Sequence, residues 1–141
     1  MTAPKRPISA KGAPLKKNAE RRFRRLLLVE DDESVAAGLT TLLQLEGFVV
    51  LTIGRGLAVV EAIKSFEPDA VILDLTLPDI SGVEVFRRLR KRWPDLPVVF
   101  STGQGSGANP AAELKGNRVE LLRKPYEISE LLLALQRITT A

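Results

Sequence analysis

The chain contains no cysteine and no histidine. The first absence excludes disulfides, thiolate metal sites and thiol nucleophiles. The second removes Ser–His–Asp catalysis, most zinc sites and any part for this chain as a histidine phosphodonor. A metal here would have to be a hard, oxygen-ligated ion, and the chemistry left open is carboxylate chemistry. Long apolar runs are also missing: no stretch approaches the roughly 20 residues of a membrane-spanning helix. The N-terminus lacks the hydrophobic core of a signal peptide; it is Arg-rich and acid-poor, as organelle transit sequences also are.

What is present is a chain of 141 residues, a length that favours one domain with its own core. Its net charge of +4 is unevenly spread. Residues 1–25 hold nine Lys/Arg against one acid, and the remainder holds twelve against sixteen. The basic balance therefore belongs to the N-terminal segment and not to the rest. Residues 1–24 are rich in charge and proline and poor in apolar residues, so they read as a disordered basic arm, with the domain over 25–141. The arm is a solvated tail in the plainer reading. The sharper one is electrostatic docking on nucleic acid, an acidic protein or anionic lipid. It carries one aromatic, Phe23, and no helical stripe, so neither base stacking nor membrane insertion is supported.

From Leu26 onward the pattern is regular. Apolar runs at Leu26–Val29, Phe48–Ile53, Ala70–Leu73, Pro97–Ser101 and Val119–Leu122 predict five short strands. Between and after them lie helical periodicities. Val35, Leu39, Leu42 and Leu43 predict the buried face of a first helix, stopped at Gly47. Leu57–Phe66 predicts a second, with Val59, Val60 and Ile63 on its apolar face. Ile80, Val83, Phe86 and Leu89 mark a third, with a basic outer face from Arg87, Arg88, Arg90, Lys91 and Arg92. Ile128, Leu131, Leu132, Leu135 and Ile138 mark the last. Between Thr102 and the fifth strand, Gly103, Gly105, Gly107 and Pro110 leave only Ala111–Lys115 as a helix, since an interior glycine costs about 1 kcal/mol relative to alanine. A short or mobile fourth helix is expected there.

Five β–α units of this kind predict a parallel sheet with helices on both faces, an open doubly wound α/β fold. In such sheets ligands bind beyond the carboxyl ends of the strands. Four of the five ends carry polar groups suited to one site: Glu30-Asp31-Asp32, Asp74, Ser101-Thr102 and Arg123-Lys124-Pro125. Asp74 ends a run that otherwise reads as fully buried, and an unpaired charge there would be expensive. A cation from solvent or Lys124 relieves it. Each residue alone has a plainer role: Asp32 as a helix cap, Asp74 in the turn toward Pro78-Asp79, Thr102 as a turn hydroxyl, Lys124 as a solvated charge. Their coincidence at one edge of one sheet is what points to a site.

With those motifs set out, the chain from about Arg25 to Ala141 resembles the receiver domain of bacterial two-component response regulators. The marks are LLLVEDD, DAVILDLTLPDISG with Pro78 and Gly82 four and eight residues after Asp74, PVVFSTG and LLRKPY. The resemblance implies a flavodoxin-like five-stranded sheet in the order 2-1-3-4-5 and a cytoplasmic protein. It implies Asp74 as phosphoacceptor, taking a phosphoryl group from a histidine kinase or phosphotransfer protein, with Lys124 and Thr102 as partners of the phosphoryl oxygens. It further implies Mg²⁺ on Asp31, Asp74 and the backbone carbonyl of Thr76, with Glu30 acting through water, and a cis bond before Pro125. Catalysis would be limited to the protein's own phosphorylation and dephosphorylation. The chain ends soon after the last helix, so a stand-alone receiver acting on a downstream protein is expected.

Leu121 occupies the position at which the family carries a switching aromatic. That departure and the glycine-rich segment keep a second reading in play, a pseudo-receiver that binds a protein partner without phosphorylation. A hydrolase of the related phosphoaspartate kind would need a second acid or base beside Asp74 to activate water, and a substrate cap. Thr76, two residues on, does not readily serve as the first, and no insertion supplies the second.

Overall fold

The structure is a computed structural model, and it describes residues 23–103, 110–116 and 118–140. The expected arm therefore lies outside the described residues over 1–22, as does the glycine-rich segment over 104–109. Five strands form one parallel sheet: β1 (Arg25–Val29), β2 (Val49–Ile53), β3 (Ala70–Asp74), β4 (Val98–Thr102) and β5 (Val119–Arg123). Their order is β2-β1-β3-β4-β5. The helices are α1 (Glu33–Leu45), α2 (Val59–Phe66), α3 (Gly82–Arg92), α4 (Ala111–Leu114) and α5 (Ile128–Thr139), with a 3₁₀ turn at Gly56–Ala58 leading into α2. The doubly wound topology expected from the sequence pattern, and the strand order implied by the resemblance, are what the chain adopts.

The three central strands are apolar on both faces because both faces are covered. Along β1, Leu27 and Val29 point to one side with Val71, Leu73, Val98 and Phe100, where α2 and α3 supply Val59, Ile63, Val83, Phe86 and Leu89. Leu26 and Leu28 point to the other with Ala70, Ile72 and Val99, against Ala36 and Leu43 of α1 and Leu131, Ala134, Leu135 and Ile138 of α5. The two-residue alternation of a strand divides one apolar run between two cores. Leu121 and Leu114 pack at the edge of the first core, and Leu121 is in register with Phe100.

Two expectations about helix faces are corrected. In α1, Val35 and Leu42 are exposed; Leu43 and the partly buried Leu39 face the core as expected, and Ala36 takes the inward place given to Val35. In α3, Arg90 leaves the basic outer face. Its guanidinium donates to the carbonyls of Trp93 (2.9 Å) and Leu96 (2.7 Å) and lies 4.6 Å from the centre of the Phe86 ring. It closes the helix C-terminus, where the last carbonyls need donors. The short fourth helix is present as the single turn Ala111–Leu114.

Among the described residues, packing starts with Phe23, placed in the arm by the sequence reading, whose ring meets Phe48 edge-on at 5.2 Å. Asp69 then ties the start of β1 to the start of β3: one carboxylate oxygen accepts from the amides of Arg24 (2.7 Å) and Arg25 (2.8 Å). The Arg25 guanidinium reaches the carbonyl of Phe66.

Candidate functional site

β1 and β3 are neighbours, paired Val29 to Leu73, so the residues that follow them emerge side by side. Glu30, Asp31 and Asp74 meet at this edge, where one carboxylate oxygen of each lies within 4.8 Å of the other two. Glu30 and Asp74 are buried, at 6% and 5% exposure, while Asp31 is open to solvent. Asp32 stands apart from this group. It is the N-cap of α1, and its side chain accepts from the Val35 amide.

Lys124 enters from the end of β5. Its Nζ donates to Glu30 Oε1 at 2.7 Å and to Asp74 Oδ2 at 3.1 Å, which answers how Asp74 is tolerated at the end of a buried strand. The remaining oxygens are also used: Glu30 Oε2 accepts from the Asp32 amide at 3.1 Å, and Asp74 Oδ1 from the Thr76 amide at 2.9 Å. The peptide bond between Lys124 and Pro125 is cis. The Lys124 amide donates to the carbonyl of Thr102 at 2.7 Å, binding the β5 exit to the β4 exit. Thr102 is itself buried at that exit, its hydroxyl making a long contact of 3.4 Å to the Gly103 carbonyl.

The electrostatics follow from burial and pairing. Burial pushes the Glu30 carboxyl above its ordinary value, reinforced by the charge of Asp74, although Lys124 and the Asp32 amide pull it down. Burial alone would lower the Lys124 ammonium, but its hydrogen bonds to Glu30 and Asp74 prevail and raise it. The ammonium is thus firmly charged and shared by two acids. A strand-end carboxylate so held has, beside it, a fixed cation able to neutralise further negative charge. The donor set is all oxygen, with three carboxylates converging, and it fits a hard divalent cation.

The structure thus brings together Glu30, Asp31, Asp74 and Lys124, with Thr76 bonded to Asp74 and Thr102 beside Lys124. Sequence reading gave no role to Asp79. Its two carboxylate oxygens accept from the amides of Gly56 and Leu57, each at 2.8 Å. Those partners lie more than twenty positions upstream, and Pro-Asp in a loop reads as an ordinary turn. The Leu57 amide above all, then those of Gly56 and Ile80, hold the Asp79 carboxyl down at about 2. It therefore remains charged at neutral pH, and its contribution to stability is lost only as pH falls from about 4 toward 2.

Comparison with known proteins agrees with this geometry. Residues 26–136 match the family model described as the response regulator receiver domain. The transcriptional regulatory protein CreB of Escherichia coli is 38% identical over 74% of this chain and 45% of its own length. The response regulator MprA of Mycolicibacterium vanbaalenii is 37% identical over 82% of this chain and 52% of its own. The chain thus spans about half the length of these curated relatives. Among solved structures, the BeF3-activated N-terminal receiver domain of Klebsiella pneumoniae RstA superposes with a TM-score of 0.75 at 28% identity, covering 84% of this chain and all of that one. A receiver domain protein from Clostridium thermocellum gives 0.76 at 26% identity, over 83% and 94%. The chain belongs to the response regulator receiver domain family, the signalling modules of two-component systems.

Proposed function

We propose that this domain is a phosphoacceptor switch in which Asp74 takes a phosphoryl group from a phosphohistidine of a sensor histidine kinase or phosphotransfer protein. The observation that carries the reading is a single buried aspartate at a strand's carboxyl end, sharing one lysine with Glu30 and converging with Asp31. A carboxylate oxygen of Asp74 attacks phosphorus, the P–N bond to the donor imidazole breaks, and an aspartyl phosphate results. Such transfers are mainly positioning and charge neutralisation. Mg²⁺, held by Asp31, Asp74 and the Thr76 carbonyl with Glu30 through water, would supply neutralising charge when bound.

Lys124 is paired with Asp74 before transfer, and its ammonium passes to a phosphoryl oxygen afterwards. The Thr102 hydroxyl has no strong competing acceptor in its 3.4 Å contact, and it is the donor for a second phosphoryl oxygen. With Leu121 at the edge of the core, the state of the site reaches partners through packing of aliphatic side chains around β4, β5 and α4. Among the described residues no helix is long and apolar enough to cross a membrane, and this reading places the domain in the cytoplasm.

The test is incubation with Mg²⁺ and acetyl phosphate, followed by intact mass measurement beside Asp74→Ala. One acid-stable, base-labile phosphoryl gain is expected, requiring both Mg²⁺ and Asp74. No gain in the wild type, with Mg²⁺ binding also absent, would favour a binding module that works without phosphorylation.

A further inference from the structure

Resting on the phosphoacceptor reading, we propose that Asp79 is a positioning residue for the site. By clamping the Gly56 and Leu57 amides, it braces the loop after β3 against the turn after β2 and so fixes the acid on β1's exit relative to the acid on β3's. The contacts form a closed circuit. The Glu30 amide donates to the carbonyl of Ile53 at 2.9 Å, and Gly54 lies against the backbone of Glu30 and Asp31. Two residues on, the Gly56 and Leu57 amides meet Asp79. From Asp79 the chain runs back three residues to Thr76, whose amide holds Asp74 Oδ1. Asp31 and Asp74 are therefore linked twice, once across the β1–β3 pairing and once around through Asp79.

The brace is close-fitting. A Cβ at Gly56 would stand 2.6 Å from Val85 and 2.8 Å from Ile80, so the turn after β2 sits directly on the start of α3. Arg55, the N-cap of the 3₁₀ turn, makes no side-chain capping bond. Asp79 fills that role from the opposite loop, and a residue that only capped the turn would more simply stand at 55 itself. Placing the cap on the other loop couples two segments that local chemistry would leave independent. Partners that orient the ligands of a metal site commonly change its affinity 10–100-fold when removed.

Asp79→Ala is compared with the double variant Asp79→Ala/Arg55→Ser, which gives the turn a local cap without joining the loops. Three quantities are read: the denaturation midpoint, the hydrogen-exchange rate of the Thr76 amide, and Mg²⁺ affinity by calorimetry. In Asp79→Ala the Thr76 amide is expected to exchange about tenfold faster and Mg²⁺ to bind 10–100-fold more weakly. In the double variant the midpoint should return toward wild type while both site readouts stay impaired. Recovery of all three by Arg55→Ser would reduce Asp79 to a helix cap, and unchanged Thr76 exchange in Asp79→Ala would overturn the brace. A wild type that neither binds Mg²⁺ nor takes up phosphoryl groups would instead sink the phosphoacceptor reading, and amide exchange would still decide the brace.

Discussion

Lys124→Ala should lower the rate of phosphoryl uptake from acetyl phosphate by 10²–10³-fold, the usual consequence of removing one preorganised donor from a charge-developing centre. The same change should leave Mg²⁺ binding intact or tighten it. In the wild type one ammonium is shared between Glu30 Oε1 and Asp74 Oδ2; without it, three converging acids face each other with no resident cation. That separation of rate from metal affinity distinguishes a partner of the phosphoryl group from a merely structural lysine, whose loss would weaken both together. Stability should fall by about 1–3 kcal/mol, the cost of leaving buried acceptors unpaired.

The sign of its pH dependence is fixed by Glu30. Burial already holds that carboxyl above 4.5, and Lys124 is the largest influence pulling it down. Its removal raises the folded-state value further, so the folded variant keeps its proton to higher pH than the unfolded chain does. Stability then declines as pH rises above about 4.5. The deficit relative to wild type should be largest near neutrality and shrink on acidification toward 4.5. Denaturant titrations of both proteins from pH 4.5 to 7.5 would read it, and a deficit independent of pH would mean that Glu30 is not the buried group left unpaired.

Gly82→Ala is expected to cost about 3 kcal/mol, at or beyond the upper end of ordinary overpacking, and to abolish efficient phosphoryl uptake. A Cβ at this position would lie 2.3 Å from the carbonyl oxygen of Asp74 and 2.7 Å from Cα of Leu75. Both are backbone atoms and cannot turn aside as a side chain would. The start of α3 is pressed there, and the Gly82 amide donates to the carbonyl of Leu75 at 2.9 Å. Relief requires either lifting α3 off the core or shifting the chain at Asp74, and each displaces the site. The control is Gly38→Ala. That glycine sits inside α1, and beyond its chain neighbours and the helix's own backbone nothing lies within 4 Å of an added Cβ, so alanine should be neutral or stabilise by roughly 0.5–1 kcal/mol. Equal destabilisation by the two substitutions, in urea unfolding, would show that the close approach at Gly82 is not what matters.

Much of the fold was legible because the signal for a buried parallel strand is strong. Runs such as AVIL and PVVF are apolar throughout and are separated by helical periodicities of the right length. Asp74 and Lys124 stood out for the same reason, as charges ending apolar runs. Helix orientation was less legible. α1 carries apolar residues at 35, 36, 37, 39, 42, 43 and 45, which is more than one stripe. Periodicity alone favoured Val35 and Leu42, whereas packing against β2 and α5 turned Ala36, Leu39 and Leu43 inward. Arg90 looked like its basic neighbours in sequence. Only the close of α3 near Trp93 and Leu96 gave it carbonyls to hold.

By itself, then, the sequence determined that there would be five short strands, that helices would cover both faces, and that acids, a hydroxyl and a lysine would gather at one edge. Those are consequences of local hydrophobicity and of chain order, which travel with the residues. The tertiary structure alone decided that Lys124 divides itself between Glu30 and Asp74, that Gly82 leaves no room for a methyl group, and that Asp79 reaches back to Gly56 and Leu57. The first and last of these bring segments distant in the chain within about 3 Å, and at Gly82 the chain folds back within eight residues onto the end of its own strand; these distances are set by the twist and register of the sheet and by how α3 packs on it, and are written in no segment alone.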